Sequence, residues 1–252
     1  MLRKALMFLA LLAVTSGLAQ TLEVPFATGE YEPFTSEHLP NYGVFTEIVS
    51  AVCREAGIKP VYRFYPWART EMVVQDGGAF AAFPYARTEE RRRSFDFSEP
   101  LYWVTMSIFY FDGNPKFSAG PPRYEKIDDL KFYKFGGLRS IFYAKDLLDA
   151  GFDFQPQENV EQTFQMLKAG RIDLVIDETS VGYTTARKLF PGEVGHIRIL
   201  DKPYGDRKIS GLLVSRKYPG SRELLARFNE GIKAIRASGE YERILAKVRG
   251  IR

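Results

Sequence analysis

Past its first 20 residues the chain alternates short apolar runs with stretches whose apolar residues recur every three or four positions. Residues 21–26 read as a strand. Between 43 and 56, Val44, Ile48, Val49 and Val52 fall on one stripe, the spacing of an amphipathic helix, and Gly57 stops it. Strands at 60–64 and 79–83 flank a second helix at 67–75. That β-α-β-α-β succession is the signature of an α/β sheet. Residues 101–111 form an aromatic and β-branched run longer than one strand requires.

After a Pro/Gly-rich stretch at 112–122 the pattern restarts. It predicts a strand at 134–136, helices at 141–150 and 160–168, and a very apolar strand at 172–176. A helix at 181–189 and strands at 197–200 and 211–214 follow. The closing helix, 221–236, carries Leu224, Leu225, Phe228, Ile232 and Ile235 on one stripe. Two α/β units result, and the chain end belongs naturally with the first. The expected lobes are 20–108 plus 210–252, and 109–209, with crossings near 107–111 and 206–212.

The start of the chain changes the expected compartment. Arg3 and Lys4 precede an apolar run over 5–14, and Gly17-Leu18-Ala19 offers a small-x-small cleavage pattern. The run is shorter than the roughly 20 residues that span a bilayer. Residues 1–19 therefore read as a signal peptide cut after Ala19, with export to a periplasm. Two of the 35 basic residues lie in that segment, so against 31 acidic residues the rest is nearly balanced. Such a surface argues against nucleic-acid binding. The single cysteine, Cys53, lies on an apolar helical stripe and reads as an inert buried thiol. With only His38 and His196 besides, the chain calls for no metal and no cofactor.

Four segments carry a resemblance. They are Tyr31-Glu32-Pro33-Phe34; Phe83 to Arg91 (FPYARTEER) followed by Phe97-Ser98-Glu99-Pro100-Leu101-Tyr102; Leu167 to Asp177 (LKAGRIDLVID); and Ala237 to Ile244 (ASGEYERI). Their order and spacing resemble the bacterial extracellular solute-binding proteins of family 3, the polar amino-acid-binding type. The resemblance implies a two-lobed periplasmic-binding-protein-like fold (type II) with a two-strand hinge. It also implies capture of a small ligand by lobe closure, and a monomer that meets a membrane ABC permease.

The ligand-binding residues expected are Tyr31, Trp67, Tyr85, Arg91, Ser140 and Asp177. Thr88 is a good N-cap, which puts Arg91 in the first turn of a helix, where unpaired N–H groups suit an anion. The resemblance gives Arg91 the ligand carboxylate. Asp177 stands where the strand at 172–176 ends, the usual place for a ligand in an α/β sheet, and the resemblance gives it the ammonium. Adjacent Glu178 competes for that role, and a helix N-cap competes for Asp177. Tyr31 matches a stacking tyrosine, with Tyr65 or Trp67 supplying another ring. The turn Gly136-Gly137-Leu138-Arg139-Ser140 offers N–H groups and a hydroxyl from the second lobe. It departs from the family in placing Arg139 where a glycine is usual. A second departure is Ala82-Phe83-Pro84, where relatives carry small hydroxyl residues.

Two other readings stay open. A dehydratase-like enzyme on the same fold would need a general acid or base, for which Glu178 or Glu30 could serve. A ligand-binding module feeding a sensor would share the site chemistry and differ only in its partner.

Overall fold

The computed structural model describes residues 22–251. The leader expected over 1–19 lies outside the described residues. The first unit comprises β1 (Leu22–Thr28), α1 (Val44–Glu55), β2 (Ile58–Phe64), α2 (Trp67–Gln75), β3 (Ala81–Ala86), α3 (Glu89–Arg92), β4 (Asp96–Phe97) and β5 (Tyr102–Val104). The second comprises β6 (Met106–Phe111), β7 (Phe135–Leu138), α4 (Ala144–Asp149), β8 (Phe154–Gln157), α5 (Val160–Lys168), β9 (Leu174–Glu178), α6 (Thr179–Leu189) and β10 (Ile197–Ile199). β11 (Lys208–Val214), α7 (Ser221–Ala237) and α8 (Glu240–Leu245) close the chain.

The strands form two sheets with one plan. The first runs β2-β1-β3-β11-β4, with β5 also pairing β11. The second runs β10-β6-β9-β7-β8. In each, three parallel strands lie in the order second, first, third, and an antiparallel strand then borders the third. In the first sheet that antiparallel strand is β11, which has returned from the second unit. The two-lobed α/β fold is thus the one expected.

Both sheets are buried on two faces, and period two assigns the residues. Met106, Ile108 and Tyr110 of β6 join Leu174 and Ile176 of β9 on one side, with Phe135, Leu130 and Tyr143. Phe109 and Val175 point to the other side, against Phe164 and Leu167 of α5. Continuous apolar strands of this kind are what doubly covered sheets require. In the first lobe α1 lays Ile48, Val49 and Val52 against Phe228, Ile232 and Ile235 of α7. The approach is close enough that a Cβ on Gly231 would sit 2.5 Å from the Val52 carbonyl oxygen.

The first crossing lies earlier than expected. The chain leaves the first sheet after Val104 and enters the second at Met106, not at 107–111. It returns between Ile199 and Lys208, a link that overlaps the start of 206–212. The reason is pairing: Lys208 aligns with Val104, so β5 and β11 extend the first sheet right up to the crossing. The run 101–111 is apolar throughout and carries no local mark of the break. β8 had no strand pattern at all. It is an edge strand whose Pro156 is tolerated there because an edge leaves one side unpaired.

Candidate functional site

A cavity lies between the sheets, beyond the carboxyl ends of β1, β3, β7 and β9, where α/β sheets usually bind ligands. It has about 680 Å³ of empty space, part of it open to solvent. The first lobe supplies Tyr31, Phe34, Trp67, Tyr85, Arg91 and Tyr102, and the second Leu138, Ser140, Phe142 and Glu178. A more polar mouth adjoins it, lined by Arg91 together with Glu71, Glu90, Arg139 and Lys145.

Each aromatic wall residue has a local cause. Trp67 opens α2, and its Nε1 donates to the Glu30 carbonyl oxygen at 3.1 Å. Its indole packs over Gly29, where a Cβ would stand 2.8 Å from the ring. Tyr31 and Tyr85 both meet Trp67 edge-on, at 6.1 and 5.8 Å between centroids. The Tyr85 hydroxyl pairs with that of Thr70, and burial pushes its pKa up to about 12.

Arg91 sits where the cap predicts. The Thr88 hydroxyl accepts the Arg91 N–H at 3.2 Å, opening α3, which is only four residues long. Its guanidinium is already engaged, however. Nε and Nη2 donate to Glu71 Oε2 at 3.2 Å each, and Nη1 donates to the Ala86 carbonyl oxygen at 3.3 Å. The guanidinium carbon also lies 4.6 Å over the Tyr85 ring centroid. Glu71 was not expected, yet a signal existed. It stands four residues after Trp67 on α2, hence on the same face of that helix.

The structure separates the two acids at the end of β9. Glu178 is the N-cap of α6, its Oε2 accepting the Ser180 and Val181 N–H groups at 2.6 and 3.0 Å. It also lines the cavity, and its Oε1 accepts the Tyr102 hydroxyl at 3.3 Å. Asp177 is no helix cap. Its Oδ1 accepts the Glu178 N–H at 2.7 Å and the Tyr31 hydroxyl at 2.6 Å, which places it behind Tyr31. Burial raises both carboxyls to about 7. Burial, then the charge of Asp177, raises the Tyr31 hydroxyl well above its usual value. The Tyr31–Asp177 and Tyr102–Glu178 bonds each join one lobe to the other, and Lys188 of α6 adds a third link to Glu32 at 3.1 Å.

Of the expected residues, Tyr31, Trp67, Tyr85, Arg91 and Ser140 line the cavity, and Asp177 backs it. Three others do not. Tyr65 lies under the Arg69 guanidinium, Arg139 pairs with Glu158 at 2.8 Å, and Glu30 accepts the Glu37 N–H. Phe34, Tyr102 and Phe142 are lining residues that sequence reasoning missed. Phe34 and Tyr102 stand inside the shared segments, but nothing local marks them as facing a cavity.

The sequence profile of the bacterial extracellular solute-binding proteins, family 3, matches residues 26–250. The chain belongs to this family. A Neisseria gonorrhoeae protein named "Probable histidine-binding protein" is 25% identical over 232 residues, covering 88% of this chain and 80% of that protein. Among solved structures, a histidine kinase sensor domain with similarity to periplasmic binding proteins superposes at TM-score 0.78. It is 22% identical and covers 92% of this chain and 98% of that one. An ancestral arginine-binding protein bound to arginine superposes at 0.75, 22% identical, over 90% and 98%. These likenesses establish the fold of a solute-binding protein. Extracellular solute binding is the family's work.

Proposed function

We propose that this solute-binding protein captures a small ammonium-bearing solute, an amino acid or a close chemical relative, in the cavity between its lobes. The observation that carries this reading is the placement of Glu178. Its carboxylate faces an aromatic-walled cavity from one lobe, while Tyr31 and Tyr102 reach across from the other. An ammonium there meets acceptors and ring faces together, and ring faces attract cations. A solute touching both lobes favours the closed form, since only that form offers all its contacts. The closed outer surface is what a permease of the inner membrane reads in the periplasm, with residues 1–19 as the leader for export. Arg91 and Ser140 complete the ligand-binding set, and Asp177 supports it from behind Tyr31.

On this reading the solute is bound and released unchanged. The experiment is native mass spectrometry of the purified protein to identify the bound solute, followed by calorimetry with that compound. Trp67→Ala and Glu178→Gln should each weaken binding by about tenfold or more, since roughly 1.4 kcal/mol is tenfold. Unchanged affinity in both variants would move the site elsewhere.

A further inference from the structure

Resting on that cavity as the ligand site, we propose that its ligand is an organic cation with an apolar or aromatic body, and that a carboxylate is not needed for binding. The charges around the cavity carry the argument. Among the described residues Arg91 is the only cationic one lining it, and three of its five N–H groups already go to Glu71 and the Ala86 carbonyl. Tyr85 covers one face of the guanidinium. Glu71 thus occupies the place beside Arg91 that a ligand carboxylate would take.

The acids are in the opposite condition. Glu178 and Asp177 are both buried, and neither is ion-paired among the described residues. A buried carboxylate without a cation is costly, so a cation delivered to this site gains the attraction no side chain provides. The neutral lining fits the same ligand. Pro84 has no N–H to offer an anion, and the Trp67 N–H is spent on Glu30. Much of the rest is ring surface from Tyr31, Trp67, Phe34 and Tyr102, with the Ser140 and Ser210 hydroxyls. An α-carboxylate placed there would lie among apolar groups and near Glu178, with Arg91 shared at best.

The test compares amines with their parent amino acids: 2-phenylethylamine against L-phenylalanine, and agmatine against L-arginine. Binding to the full chain is read from Trp67 fluorescence in a Trp103→Phe background, since the chain has two tryptophans and Trp103 is exposed on the surface. At least one amine should bind about tenfold or more tightly than its parent, a difference of roughly 1.4 kcal/mol. Glu71→Gln, which frees Arg91, should narrow that gap by raising the affinity of the amino acid. Amino acids that bind more tightly than their amines while perturbing Trp67 would overturn the cation proposal and leave the cavity assignment standing. If neither amine binds, the proposal also fails, and the compound found by native mass spectrometry then decides the cavity assignment separately.

Discussion

Tyr31→Phe removes one oxygen atom and should shift the balance between open and closed forms. The Tyr31 hydroxyl donates to Asp177 at 2.6 Å across the two lobes, so it forms only when they are closed. Opening returns Asp177 to water, and the loss therefore falls on the closed form alone. A hydrogen bond to a charged or partly charged acceptor contributes about 1.5–3 kcal/mol, and leaving a buried carboxyl short of a partner costs a similar amount. The closed-to-open ratio of the ligand-free protein should fall by roughly 10- to 100-fold. The phenyl ring keeps its packing on Phe34 and Trp67, so the fold should survive. Small-angle scattering without ligand should then give a larger radius of gyration for the variant than for the parent. Tyr102→Phe provides the internal comparison, because its bond to Glu178 is longer, at 3.3 Å, and its effect should be smaller. Identical scattering profiles for Tyr31→Phe and the parent would refute the claim that this bond holds the lobes together.

Two further outcomes test the energetics. Asp177 and Glu178 titrate near 7 when folded, against 3.8 and 4.5 for unperturbed groups, so the folded protein binds more protons between those values. Their contribution to stability is complete below about pH 4 and is lost as the pH rises through 7; the urea midpoint should drop between pH 5 and 8 by more in the parent than in Asp177→Asn/Glu178→Gln. Equal drops would remove these two groups as the cause. Gly231→Ala should destabilise the first lobe by about 1–3 kcal/mol, because the added methyl meets the Val52 backbone on α1, which cannot rotate aside. A denaturant midpoint equal to the parent's would show that α1 and α7 can part at no cost.

Local rules determined much of this protein. The stripes of α1 and α7 are periodic in the sequence because each helix turns one face into the core of the first lobe, and apolar spacing records that directly. Thr88 announced the start of α3 through a capping bond three residues long, and the repeated strand–helix order implied two lobes. Tertiary structure decided the rest. Asp177 and Glu178 are neighbours of like chemistry, and only the packing of α6 and Tyr31 makes one a cap facing the cavity and the other its support. Arg91 is a free guanidinium in the sequence, and it becomes a paired one because α2 brings Glu71 beside it from 20 residues away. With 20 phenylalanines and 14 tyrosines, aromatic character could not single out Phe34 or Tyr102, since core and cavity draw on the same residue types. The position of the hinge was invisible for a related reason. Val104 and Met106 belong to different sheets, yet the partners that separate them, Lys208 and Glu178, lie some 70 to 100 residues further along the chain.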